Sequence, residues 1–239
     1  MAILSGIHTV LEALKSGRSL DRVLVARGAG GARIQEVVDL CRSASVPVRF
    51  EPRAALDRLA STSAHQGVVA VGASHRYAAL EEIPAGAGLV VVLDGIMDPH
   101  NLGAILRTAH CAGAGAVVIP ERRSAGITDA TAKAAAGALE HLPVVRASNL
   151  NRALDFLKEK GFWIYGLDER GPACYDQTDY YSPTAFVLGG EARGLHHQVK
   201  ERCDVLVRIP LSGKIPSLNV SVAAGVVLFE WKRRRSAGG

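Results

Sequence analysis

Leu89-Val90-Val91-Val92-Leu93-Asp94, followed after three residues by Asp98-Pro99-His100-Asn101-Leu102-Gly103-Ala104-Ile105-Leu106-Arg107, decides the fold. Five consecutive apolar residues, three of them β-branched, suit a strand buried on both faces, which is the habit of parallel sheets. The Asp-Pro pair closes a turn, and apolar positions then recur at helical spacing from Leu102 to Cys111. Asn101 stands where it can cap that helix. Arg107 lies inside the helix among Ile105, Leu106 and Ala109, either reaching outward along its own stem or held in a cleft for an anion.

The same alternation continues toward the C-terminus. Strands are expected at Val117–Ile119, Val144-Val145, Phe162–Leu167, Ala185–Leu188 and Val205–Ile209. Helices are expected at Ala130–Leu139, Asn151–Lys158 and Leu218–Lys232. Strands alternating with helices imply a mostly parallel sheet covered on both faces, with ligands at the carboxyl ends of its strands. Toward the N-terminus a smaller α/β module is expected. Ser5 caps a helix through Leu14, and strands at Arg22–Ala26, Val46–Phe50 and Val68–Val71 alternate with helices at Ile34–Cys41 and Ala54–Leu59. Pro84, Gly86 and Gly88 mark a linker. The expected division is residues 1–73, a linker at 74–88, a main domain at 89–235 and a flexible tail at 236–239.

Composition narrows the function. The chain has 239 residues, 48% of them hydrophobic, enough for real cores. A net charge of +5 fits a polyanion partner, since bound Lys and Arg release counterions from phosphates. Aromatic residues make up only 5%, too few for a sheet of exposed rings that stack bases. Cys41, Cys111, Cys174 and Cys203 are dispersed without zinc spacing, as expected of reduced thiols in the cytoplasm. No metal is expected. The start has no basic and apolar leader, and Leu89–Leu93 is too short to span a bilayer, so no membrane association is expected.

Two tempting motifs fail. Gly28-Ala29-Gly30-Gly31 has the setting of a dinucleotide fingerprint, but its third glycine position is Arg33. Gly213-Lys214 lacks the earlier glycine and the following Ser or Thr of a phosphate loop, with Arg208 and Ile215 there instead. The adjacent His196 and His197 point in different directions and are expected to face solvent.

Three segments place unusual polar groups at strand ends. Besides the first, Phe186-Val187-Leu188-Gly189-Gly190-Glu191 ends a buried strand in two glycines and an acid. Glycines there admit either a close ligand or a tight turn. Ile209-Pro210-Leu211-Ser212-Gly213-Lys214-Ile215-Pro216-Ser217-Leu218-Asn219 carries a shaped loop into a helix with Ser217 as the expected cap.

In order and content the three segments resemble the signature motifs of the SpoU, or TrmH, family of RNA ribose methyltransferases. Gly6-Ile7-His8-Thr9-Val10 and His65-Gln66-Gly67-Val68-Val69-Ala70 resemble the amino-terminal RNA-binding module of its ribosomal-RNA guanosine branch. The resemblance implies a trefoil-knotted methyltransferase domain, a homodimer, and S-adenosylmethionine as cofactor. It implies a cofactor pocket at Gly189, Gly190, Ile209, Leu211 and Leu218, and a catalytic set of Arg107, Asn101, Glu191, Ser217 and Asn219. Because a guanidinium rarely loses its proton, Arg107 fits an alkoxide stabiliser and phosphate clamp better than a general base. Lys214 either touches RNA or is solvated. The implied substrate is ribosomal RNA, best a guanosine in the peptidyl-transferase loop of the large-subunit RNA. Transfer RNA, an antibiotic-resistance site, or a non-catalytic RNA-binding relative are the alternatives.

Overall fold

The computed structural model describes residues 2–72, 75–190, 193–215 and 217–236. The chain divides into two compact units, residues 1–76 with 127–141, and residues 77–126 with 142–239.

The first unit is built on a four-stranded sheet in the order β1-β4-β2-β3, from β1 (Ala2–Ser5), β2 (Leu20–Ala26), β3 (Val48–Glu51) and β4 (Val68–Gly72). β4 runs antiparallel to both neighbours, while β2 and β3 are parallel. Helices α1 (Ile7–Lys15), α2 (Ala32–Ser43) and α3 (Arg53–Ala60) complete the α/β module. Ser5 is not a cap but the last residue of β1; Gly6, at φ 104°, begins the helix because only glycine turns there without strain. The two quoted amino-terminal stretches meet. Gly6 N donates to Val68 O, and Ile7 N donates to the Gln66 side-chain carbonyl at 3.2 Å. Beneath them the buried His65 takes Gly67 N–H on Nδ1 and reaches Asp57 with Nε2 at 2.9 Å.

The Ala-rich segment expected inside the main domain is shorter and belongs elsewhere. After α4 (Pro99–Ala112), the helix of the first motif, the Ala-rich helix α5 (Asp129–Ala135) and a turn of 3-10 helix at Ala138–Glu140 fall within the first unit. α5 packs on β1, and Glu140 holds Arg18 at 2.6 Å in a largely buried ion pair. Small alanines carry no periodicity that says which core they join.

The second unit is a seven-stranded sheet in the order β7-β6-β5-β10-β8-β11-β9, parallel throughout. Its strands are β5 (Leu89–Asp94), β6 (Ala116–Pro120), β7 (Val144–Ala147), β8 (Trp163–Leu167), β9 (Ala173–Cys174), β10 (Thr184–Gly189) and β11 (Val205–Arg208). β5 is buried at every residue, as its unbroken apolar run requires. The helices are α4 (Pro99–Ala112), α6 (Leu150–Glu159), α7 (His197–Lys200) and α8 (Val220–Ser236). Asp98, not Asn101, caps α4: its carboxylate accepts from His100 N at 2.9 Å, and Pro99 takes the first turn, where a missing N–H costs nothing. Gly113, at φ 91°, ends it.

Ala78 N donates to Val144 O, Leu80–Glu82 forms a 3-10 turn, and Ala78, Leu80, Ile83 and Ala87 pack on the sheet core. The prolines and glycines shape a strap, and the apolar residues between them hold it down. Of the expected tail, Ser236 ends α8; Ala237, Gly238 and Gly239 lie outside the described residues, as do Ala73 and Ser74.

Candidate active site

The sheet order places β5 and β10 side by side, with β6 and β7 beyond one and β8 and β11 beyond the other. Such a reversal of strand order opens a crevice at the carboxyl ends. A cavity of about 530 Å³ lies at the ends of β8, β10 and β11, within the range of roughly 300–1,000 Å³ usual for small-molecule sites. Gly189, Gly190, Ile209, Leu211 and Leu218, the five residues singled out for the cofactor, all line it, and so does Ser217.

The two glycines are explained by the chain rather than by a ligand. A Cβ on Gly189 would sit 2.2 Å from Gly194 C and 2.4 Å from Leu195 N. A Cβ on Gly190 would sit 2.5 Å from Gly95 O. The end of β10 is therefore pressed between the β5 turn and the backbone of Gly194 and Leu195, with Gly190 N donating to Asp94 O and Gly194 N to Gly190 O. The tight-turn alternative holds, and the cavity wall is backbone because nothing larger fits.

Asn219 joins the first and third motifs. Its Oδ1 accepts from Ser221 N at 2.9 Å and Ser221 Oγ at 2.6 Å, so Asn219 rather than Ser217 caps α8. Its Nδ2 donates to Asn101 Oδ1 at 3.1 Å. That bond ties the start of α8 to the first turn of α4, and the two helices pack along their lengths, with Thr108 facing Gly225. Ser217 is freed from capping and lies exposed at the cavity wall. Arg107 is exposed on α4 and is not part of the cavity lining. Lys214 is exposed too. Glu191 lies outside the described residues.

The sequence reading missed a charged pair at the same cavity. Asp168, immediately after β8, is bound by Lys200 of α7 in a close ion pair and accepts from Arg170 N at 3.0 Å. Burial pushes the Asp168 carboxyl up, but the Lys200 hydrogen bond and the Arg170 N–H outweigh it and leave it below the usual carboxylate range. An acid on the first residue beyond a buried strand was the available signal. His196 and His197 are both exposed, as expected, and His196 in addition bonds Asp94 through its backbone N–H and Nδ1. Among the described residues no three His, Cys, Asp or Glu side chains gather as a metal site would need.

Residues 88–229 match the SpoU rRNA Methylase family, and residues 3–78 match the family described as RNA 2'-O ribose methyltransferase substrate binding. The chain is 40% identical over 240 residues to YacO of Bacillus subtilis, assigned to the TrmH family of tRNA/rRNA methyltransferases, covering 98% of this chain and 96% of that one. Among solved structures it resembles the SpoU methyltransferase AviRb from Streptomyces viridochromogenes, with a TM-score of 0.86, 25% identity, and 99% and 90% of the two chains covered. It also resembles the AdoMet-bound rRNA methyltransferase from Sinorhizobium meliloti, with a TM-score of 0.83, 26% identity, and 98% and 87% covered.

Proposed function

Because this chain belongs to the SpoU rRNA methylase family, within the TrmH group of RNA methyltransferases, we propose that it transfers a methyl group from S-adenosylmethionine to a ribose 2′-hydroxyl of RNA. The observation that carries this is the backbone-walled cavity at the β8, β10 and β11 ends, beside the Asn101–Asn219 bond.

The residues present fit the cofactor. Leu188, Ile209, Leu211 and Leu218 offer apolar walls to a flat base, and the glycine backbone offers N–H and C=O groups. When bound, the cofactor supplies an activated methyl on a sulfonium that leaves as a neutral thioether. The protein supplies alignment and management of the hydroxyl proton. Asn101 and Asn219, fixed on each other, hold the loop edge where the ribose enters. Arg107 stabilises charge developing on the 2′-oxygen and clamps the neighbouring phosphate, as an exposed, permanently charged fork can. Glu191 and Ser217 orient substrate and loop.

Arg107 reaches its work in a homodimer. α8 is apolar on both faces: Ala224, Val227 and Leu228 are buried while Val222 and Phe229, seven residues apart on one stripe, are about half exposed. A second copy covering that stripe encloses the exposed flank of α4 and α8. The trefoil knot that the family resemblance implies, with the chain after Glu191 threading through a loop, belongs to the same proposal. No helix among the described residues is long and apolar enough to cross a membrane, and the cytoplasm is where the RNA substrate would be met.

The preferred substrate is a guanosine in the peptidyl-transferase loop of large-subunit ribosomal RNA, supported by the amino-terminal Gly6 and His65 stretches meeting on one module. Mapping 2′-O-methyl sites in cells with and without the gene tests it. Loss of one 2′-O-methylguanosine in that loop is expected; loss confined to transfer RNA or to another ribosomal site overturns the choice of substrate.

A further inference from the structure

A second cleft, of about 230 Å³, opens at the carboxyl ends of β5, β6 and β7, on the other side of the strand-order reversal from the cofactor cavity. Arg122, Arg123, His196 and Asn149 line it. The linings of the two cavities meet where Gly190 and Gly95 touch. Gly190 faces the first and Gly95 the second, and a Cβ on Gly190 would lie 2.5 Å from Gly95 O.

The cleft is built rather than incidental. Asp94, buried at the end of β5, gives both carboxylate oxygens to His196: one accepts the backbone N–H at 2.7 Å, the other meets Nδ1 at 2.9 Å. A carboxylate only accepts, so Nδ1 carries the proton and the ring is fixed with Nε2 as its remaining hydrogen-bonding atom. The arginine loop is pinned at both ends, with Glu121 N donating to Ala147 O at 2.8 Å and Ala125 N to Ile96 O at 2.7 Å. Arg123 is held at φ 57°, a conformation that side-chain-bearing residues adopt at a cost and that gathers at functional sites. Both arginines are exposed, and neither has an acidic partner among the described residues. The one acid in the lining, Asp94, is already committed to His196.

Two exposed guanidinium groups on a pinned loop, an imidazole held by Asp94 and no free carboxylate suit a polyanion's phosphate and sugar. Resting on the proposed RNA methylation, we infer that this cleft is an RNA subsite: it takes the phosphodiester and ribose of a nucleotide adjoining the methylated one. Arg122 and Arg123 bind the phosphate, and His196 Nε2 bonds a phosphate or sugar oxygen. His196 is thus a binding residue and Asp94 its positioning residue.

The test uses the full chain and total RNA from cells lacking the gene. Arg122→Gln with Arg123→Gln lies on an exposed loop and leaves the sheet untouched; His196→Gln is the second variant. Calorimetry with S-adenosylmethionine should be unchanged in both. The double variant should bind RNA at least about tenfold more weakly in 0.1 M salt, with a flatter dependence of log affinity on log salt. Its KM for RNA should rise while kcat holds. RNA affinity and salt slope equal to the unsubstituted protein, with cofactor binding intact, overturn the subsite. Absence of methyl transfer to RNA by the unsubstituted protein overturns the enzymatic reading instead, so the two failures are separable.

Discussion

Gly189→Ala is a small change with a large expected effect. The added Cβ would stand 2.2 Å from Gly194 C, 2.4 Å from Leu195 N and 2.5 Å from Gly194 O. Ordinary carbon contacts lie near 3.5 Å, so the backbone at Gly194 must retreat by about 1.3 Å. It has little room to do so, because Gly194 N is bonded to Gly190 O and Leu195 is buried in the core. Overpacking of this kind costs ~1–3 kcal/mol. For a chain of this length a 2 kcal/mol loss lowers the melting temperature by about 4–8 °C. Since Gly189 also lines the cavity, affinity for S-adenosylmethionine should fall at least about tenfold, which corresponds to 1.4 kcal/mol. Differential scanning fluorimetry and calorimetry at 20 °C measure the two effects. Gly213→Ala is the control: only Ile215 N comes within reach of its Cβ, at 4.0 Å, and neither measurement should move. A Gly189→Ala protein that melts and binds cofactor like the unsubstituted chain would refute the close-approach argument.

Further outcomes follow from the same structure. Arg107→Ala should keep its melting temperature and cofactor affinity and lose methyl transfer, since Arg107 is exposed and outside the cavity lining; retained turnover removes it from the reaction. Asn219→Ala removes the α8 cap and the tie to Asn101, costing ~1 kcal/mol or somewhat more, visible as an earlier urea midpoint. The Glu230 carboxyl is held at about 2, first by its Arg233 hydrogen bond, against burial and with help from Arg234. Its folded value is depressed, so its stabilisation is full above pH 4.5 and fades as pH falls toward 2. The stability gap between the unsubstituted chain and Glu230→Gln should therefore close across that window, and a constant gap contradicts the ion pair. Burial pushes the thiols of Cys203 to about 12 and Cys41 to about 11, so iodoacetamide at pH 8 should label exposed Cys111 first and leave those two until unfolding.

Much of the fold was legible because its signals are local. The unbroken run at β5 announced a doubly covered parallel strand, and all six strands expected in the main domain occur with ends shifted by a residue or two. Strand order was not legible: nothing in Thr184–Gly189 says that it lies beside β5 rather than β8 alone. β1 was missed because four residues preceding a glycine carry no period, and pairing with β4 is what makes them a strand. The caps were misplaced by one rule applied to the wrong residue. Ser217 and Asn219 are both good capping types, and the tie from Asn219 to Asn101 selects between them. The glycines at the end of β10 were seen, but their cause, the loop at Gly194 folding back on them, is a tertiary contact. His196 is the surface histidine that was expected, but its bond to Asp94, 102 residues away, was not legible.

If the converging strand ends serve methyl transfer to an RNA sugar oxygen, the methyl must end on a ribose. The most direct measurement incubates the purified chain with S-adenosylmethionine carrying a labelled methyl and RNA from cells lacking the gene, then digests the RNA to nucleosides and identifies the labelled species by mass spectrometry. Label is expected in a 2′-O-methylated nucleoside, with the methyl on the ribose fragment. Label on a base, or none in RNA while the cofactor still binds, would contradict it.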